Sequence, residues 1–277
     1  MIKAGQGQAE GVDTLNTVKK AISQCRQQLG EHLPQAGIVF AGADFDHRQM
    51  LDEINRRFPG IELSGCTTVG EFSSSFGFGD DSISLTVFYS EVIEIKSGIG
   101  RRISKNPQAA FTSVVREVRS KMTRPESICL ALPDGSSGSF NFIIKAINGE
   151  LNRECPVFGG CAGRQEDNQP ILQFFNNEVL TDALPIMIFS GPLEYAFSIA
   201  NSWKPIGRHT KVTKAHGREV GRIGDFSALD FYRYYLGNHV DPAIEFPLAV
   251  YQKSSRQFYL RGPIHYLVLQ LRRNCPA

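Results

Sequence analysis

Hydrophobic positions recur at two periods along this chain, and the two periods take turns. From Thr14 to Leu29, Leu15, Val18, Ile22, Cys25 and Leu29 fall at helical spacing, with Asp13 placed to cap the first turn. Ala36–Ala41 is an apolar run of strand length. Gly42-Ala43-Asp44-Phe45-Asp46 then turns the chain into a second helical stretch, residues 47–58, which gathers Met50, Leu51, Ile54 and Phe58 on one side and stops at Pro59-Gly60. Residues 61–64 are apolar again. Residues 82–89 alternate Ile83, Leu85, Val87 and Tyr89, and residues 92–99 alternate Ile93 and Ile95, so the two stretches are expected to pair as a hairpin.

The order then begins again. Asn106-Pro107 supplies a cap and a first-turn proline for a helix over 108–122. A strand over 127–132 follows, then the loop Asp134-Gly135-Ser136-Ser137-Gly138-Ser139, a helix over 140–151 and a strand over 156–158. Strand-like runs close the series at 171–175, 178–180, 184–189 and 195–200. Equivalent elements lie about 90–95 residues apart, too long a period for a solenoid and suited to two fused halves. The pattern predicts an α/β fold of α+β type. Its two pseudo-repeated halves, about 1–100 and 101–200, are each α-β-α-β plus an antiparallel meander. A doubly wound parallel sheet would need a helix between every pair of strands. From residue 201 the pattern changes to short strands around 211–214, 219–223 and 246–251 and an aromatic helix over 227–236, which reads as the start of a second mixed domain, 201–264.

Composition narrows the function classes. A chain of 277 residues, 42% hydrophobic, can bury one large core or two medium ones. No run approaches the roughly 20 apolar residues of a membrane helix, and the first residues lack a secretion signal, so a cytoplasmic setting without membrane insertion is expected. The six cysteines form no C-x-x-C pair, which favours reduced, buried thiols over a disulfide frame or a metal site. Residues 1–200 carry 18 Lys+Arg against 23 Asp+Glu, and residues 201–277 carry 12 against 5. The basic end lacks periodic aromatics, so it reads as a face for an acidic partner and not for nucleic acid.

Two short elements carry the candidate chemistry. Gly65-Cys66-Thr67-Thr68-Val69-Gly70-Glu71 and Gly159-Gly160-Cys161-Ala162-Gly163 each follow a strand and open into polar residues. With Asp134, Ser136 and Ser137 of the strand-to-helix loop, they offer hydroxyls, a carboxylate at Glu71 and the free N–H groups of a helix start, a set suited to a small zwitterion. Simple capping and turn formation explain the same serines and glycines. Cys66 beside Glu71 could be a nucleophile beside a base, yet a duplicated Gly-Cys is easier to explain by packing. The loop lacks the Gly-Lys-Ser/Thr of a phosphate loop. His209 and His216, seven apart on an alternating stretch, point to opposite faces, which disfavours a shared metal and leaves a lone haem ligand open.

These two elements, the Asp134–Ser139 loop, Ser202-Trp203-Lys204-Pro205-Ile206-Gly207, Val212-Thr213-Lys214, the Ala228 to Gly237 helix, Phe246-Pro247-Leu248-Ala249-Val250 and Tyr259-Leu260-Arg261-Gly262-Pro263-Ile264 together resemble the FIST sensory family of bacteria. The resemblance implies an N-terminal-like sensory domain over 1–200 and an incomplete C-terminal-like domain over 201–264. It departs at Gly224-Asp225-Phe226-Ser227-Ala228, where an Asp-Gly-Lys-Pro-Ala turn is expected, and again over 265–277, which reads as a non-family tail whose truncated domain leaves a sheet edge inviting dimerisation. It also implies a ligand-binding, non-enzymatic sensor of small molecules, amino acids among them, feeding a histidine kinase or diguanylate cyclase. The alternative within the family is a haem-based nitric-oxide sensor, with no other cofactor expected; a cysteine-dependent enzyme is the third reading.

Overall fold

The computed structural model describes residues 1–135, 151, 155–166, 168–198, 202–216, 219–237, 246–251 and 258–262. The expected helix over 140–151, all but its last residue, and the tail over 265–277 lie outside the described residues. The chain divides into two compact units, Met1–Ala196 and Phe197–Ala277.

The first unit is a mixed α+β structure. It opens with a strand that the hydrophobic pattern did not announce, β1 (Ile2–Glu10). Helix α1 (Thr14–Leu29) follows, capped by Asp13, whose carboxylate accepts from the Asn16 N–H at 2.7 Å. Then come β2 (Ala36–Ala41), α2 (His47–Arg57), β3 (Glu62–Thr67), the short hairpin β4 (Glu71–Ser73) and β5 (Gly77–Gly79), and β6 (Ser82–Ser90). The remainder is β7 (Glu94–Arg101), α3 (Pro107–Ser120), β8 (Glu126–Ala131), β9 (Val157–Gly159), β10 (Gln173–Phe175), β11 (Glu178–Leu180) and β12 (Ala183–Ser190). No strand forms over 195–198, the described part of the run expected at 195–200.

Two sheets organise these strands, in the orders β1-β6-β2-β3-β10-β11 and β7-β12-β8-β9. Within each, an edge strand, an antiparallel inner strand and a parallel pair follow in the same sequence: β2 runs parallel to β3, and β8 runs parallel to β9. The hairpin expected between residues 82–89 and 92–99 does not form. Both edges of β6 are already taken, by β1 and β2, so β7 crosses to the second sheet and pairs with β12. In return, β10–β11 adds to the outer edge of β3 in the first sheet. The strands after β3 are therefore not a meander within one half, and a division near residue 100 would cut through β7 of the second sheet.

Period-two alternation sorts the side chains into layers. Val39, Leu85 and Val87 meet Val18, Ile22 and Ile54 of α1 and α2. Leu184, Ile186 and Ile188 meet Phe111, Val114 and Val118 of α3. Between the sheets lie Ala36, Ile38, Phe88, Ile95, Met187 and Phe189, with Phe88 and Phe189 edge to face at 5.3 Å. The layers run helix, sheet, sheet, helix.

Glycines set the closest approaches. A Cβ on Gly7 would sit 2.0 Å from the Ala21 carbonyl oxygen, so β1 can lie under α1 only as a glycine-bearing strand. A Cβ on Gly65 would sit 2.0 Å from the Val39 oxygen, and one on Gly159 would sit 1.8 Å from the Ala131 oxygen. The two parallel pairs thus meet through the same device. By that register the counterpart of Gly65 is Gly159, and Cys66 corresponds to Gly160, one residue before Cys161.

The second unit, described by itself, contains β13 (Val212–His216), β14 (Glu219–Ile223) and β15 (Phe226–Ser227) in one sheet, helix α4 (Ala228–Leu236) capped by Ser227, and the antiparallel pair β16 (Leu248–Tyr251) and β17 (Phe258–Arg261).

Gly65→Ala and Gly159→Ala should each cost about 3 kcal/mol or more, because backbone must shift to make room. Gly160→Ala, whose added Cβ meets nothing within 4 Å, should stay within about 0.5 kcal/mol. Thermal melting of the three variants checks the contrast.

Candidate functional site

The carboxyl ends of the two parallel pairs converge. Asp134, just after β8, forms a parallel bridge to Ala162, just after β9. The Ala162 N–H donates to the Pro133 oxygen at 2.9 Å, and the Gly163 N–H donates to the Thr67 oxygen at 2.9 Å. Thr68 donates its N–H to Ala41 at 3.2 Å. The Thr67 hydroxyl accepts from the Leu172 N–H at 3.0 Å, which ties in the strand that crossed from the other half. Beneath this seam Cys66, Leu132 and Ala162 form a small buried cluster with Phe40, Leu130 and Ile171 packed against it.

The sequence-derived residues Cys66, Thr67, Thr68, Asp134, Gly159, Gly160 and Cys161 thus lie along one junction. Gly135 marks how tight it is, since a Cβ there would come within 3.2 Å of the Cys161 Cβ. Ser136 and Ser137 lie outside the described residues. Asp134 is buried and its carboxylate accepts from the Asp182 N–H at 2.9 Å, so part of its capacity goes to holding the start of β12.

Glu71 has the least ordinary environment of the set. It is 3% exposed, and Thr68 and Ser82 both donate hydroxyls to its carboxylate, Ser82 at 2.6 Å. No Lys or Arg pairs with it among the described residues. Burial raises its pKa above the ordinary 4.5, and the two hydroxyls, with the backbone N–H groups of Ser82 and Glu71, pull the other way. Gln8 of β1 donates to the Glu71 carbonyl at 3.2 Å and to the Ser82 hydroxyl at 3.1 Å. The Gln8 side-chain oxygen and the Gln173 side-chain nitrogen are both buried without a partner among the described residues. Sequence reasoning missed Gln8, Ser82 and Gln173. The available signal was Gln-Gly-Gln at the start of the chain, too polar to read as a strand.

The β4–β5 hairpin next to this cluster is inverted relative to ordinary patterning. Glu71 and Ser73 point inward, while Phe72 and its cross-strand partner Phe78 stand 75% and 62% exposed.

The thiols sit at the opposite extreme from activated nucleophiles. Burial pushes Cys66 up to about 12, with Cys161 and Glu71 adding to it, and pushes Cys161 up to about 11, with Asp134 adding to it. No group of three or more His, Cys, Asp or Glu residues among those described could hold a metal ion. Nor is any described helix long and apolar enough to cross a membrane. The His209 ring lies tilted against Tyr251, with centroids 4.2 Å apart, and His216 ends β13.

The FIST N domain family matches residues 35–225. An uncharacterized protein of Methanocaldococcus jannaschii, MJ1623, is 21% identical over 232 residues, 79% of this chain and 44% of that protein. This chain therefore spans less than half the length of that relative. Among solved structures, cyanuric acid hydrolase from A. caulinodans superposes with a TM-score of 0.37 at 10% identity, over 69% of this chain and 70% of that one.

Two outcomes are expected. A carboxyl group whose folded pKa is raised contributes stability that is fully present below its unfolded pKa and is lost as pH rises through the folded one. The melting temperature of Glu71→Gln minus that of the parent should therefore climb as pH is raised from below 4.5 toward neutral. In the native protein at neutral pH, the Cys66 and Cys161 peptides should stay unlabelled by iodoacetamide over the time that alkylates the unfolded chain fully, as read by peptide mass.

Proposed function

Because the chain belongs to the FIST family, whose members are sensory domains of signal transduction, we propose that it is the receptor part of a cytoplasmic sensor that binds a small zwitterion, an amino acid among them, at the junction of its strand ends. The single observation that carries this is Glu71: a buried carboxylate, without a cation among the described residues, at the end of the first Gly-Cys element. A carboxylate offers about four lone-pair directions; the hydroxyls of Thr68 and Ser82 bond to this one, as do the backbone N–H groups of Ser82 and Glu71. None of these donors carries a charge, and a ligand ammonium would supply the positive charge that burial leaves uncompensated. The loop from Asp134 through Ser136 and Ser137 is the side assigned to the ligand carboxylate. Catalysis is not part of this reading.

Signal output fits the inverted hairpin. Glu71 and Phe72 are adjacent on β4, so any movement of the buried carboxylate moves an exposed aromatic pair. A histidine kinase or a diguanylate cyclase is the partner this reading implies.

Calorimetry against a panel of amino acids tests it. Binding is expected in the micromolar to millimolar range, about −8 to −4 kcal/mol. Losing one charge-assisted hydrogen bond in Glu71→Gln should weaken it about tenfold or more. Absence of heat across the panel, or unchanged binding by the variant, overturns the reading. A Soret band on adding haemin, lost in His209→Ala, would replace it with the haem-based alternative.

A further inference from the structure

The second unit holds a cavity of about 930 Å³, whose described lining residues run from Trp203 to Leu260. Its walls are aromatic and aliphatic: Phe231, Tyr232 and Tyr235 of α4 face Leu248 and Val250 of β16 and Phe258 of β17. Among the described lining residues are Lys204, Arg208, His209 and Lys211 and no Asp or Glu. All four of these basic side chains are exposed, so their charged ends reach solvent while the walls behind them are apolar. The charge of the whole segment agrees, since residues 201–277 carry 12 Lys+Arg against 5 Asp+Glu.

The aromatic wall is held in place by local geometry. Gly207, at φ +82°, lets the Tyr235 ring lie where a Cβ would collide at 2.4 Å, and the Arg208 N–H donates to the Tyr235 hydroxyl at 3.3 Å. Phe231 and Tyr235 meet at 5.1 Å, and His209 packs tilted against Tyr251. A rigid aromatic wall favours a flat guest, which can stack offset or edge-on against it. One polar atom is left over. The Tyr232 hydroxyl is buried and has no partner among the described residues, a donor that costs free energy until something accepts from it. Burial pushes the Tyr232 pKa up to about 12, so it remains a donor at any physiological pH.

We propose that this cavity is a second ligand site, separate from the strand-end junction, and that it takes a flat, largely apolar organic anion. The aromatic body enters between α4 and the β16–β17 pair, and the anionic group rests among Lys204, Arg208 and Lys211 at the mouth. The size is that of a pocket for one small molecule. Lys204, Arg208 and Lys211, with no carboxylate among the described lining residues, select anions over cations. An unfilled apolar interior would take neutral guests equally well, so charge preference separates the two.

The chain supplies its own reporter, because Trp203 is its single tryptophan and lines the cavity. The intact protein is titrated with three probes of one shape, 2-naphthoate, 2-naphthamide and 2-naphthylmethylammonium, and binding is measured by calorimetry with Trp203 fluorescence alongside. Naphthoate is expected to bind about tenfold tighter than the amide, with the ammonium weakest. That advantage should shrink several-fold between about 0.05 and 0.5 M salt, where exposed charges are screened. Lys204→Gln combined with Arg208→Gln, both surface changes, should bring naphthoate close to the amide. Equal binding of naphthoate and amide by the parent, or no binding of naphthoate, overturns the proposal. Neither result bears on amino-acid binding at Glu71, which is read by Glu71→Gln.

Discussion

The stacking of one sheet on the other is the constraint from which most of the first unit follows. Ala36, Ile38 and Phe88 on one side meet Ile95, Met187 and Phe189 on the other, and on the remaining faces α1 and α2 cover the first sheet and α3 the second. Strands buried on both faces must be apolar on both faces, and every residue of β12 is buried. Polar groups then have few places to go. They collect where the parallel strands end, and Glu71, Asp134, Gln8 and Gln173 are all buried there or close by. The junction is polar because the layers are not.

The chain's own pattern was enough for the elements that bury one face at a regular period. Helix α1 with its Asp13 cap, β2, α2, the Asn106-Pro107 start of α3, and the strands β10, β11 and β12 all stand close to where spacing put them. Pairing was less legible. Residues 82–90 and 94–101 alternate well and are close in sequence, which favours a hairpin. The competitor was β1, whose Gly5 and Gly7 carry no side chain to signal a strand and instead let α1 approach. With β1 on one edge of β6 and β2 on the other, the hairpin had no edge to use. A strand written in glycine and glutamine is invisible to hydrophobic periodicity, and missing it misplaced its neighbours.

The candidate site was legible as a set of neighbours but not as an environment. Two Gly-Cys elements after two strands were enough to bring Cys66, Thr67 and Thr68 toward Asp134 and Cys161. Sequence placed Glu71 in reach of a ligand but could not say that it is buried under Thr68 and Ser82. That follows from the hairpin inversion at Phe72, which propensity alone does not reveal. The one-residue offset between Cys66 and Cys161 came from the Gly65 and Gly159 contacts with facing carbonyls, which only three-dimensional register exposes.

The crossing of β10 into the first sheet also has a consequence in time. Thr67 and Leu172, which hydrogen-bond in the finished sheet, are 105 positions apart. At a synthesis rate of roughly 5–20 residues per second, β3 leaves the ribosome about 5–20 s before its partner does. During that interval its outer edge presents unpaired N–H and C=O groups beside an apolar face, the arrangement most prone to pairing with the wrong strand. The nascent protein is therefore most exposed to misassembly after its first half can fold and before its second has arrived, and the short β10–β11 hairpin is what ends that exposure.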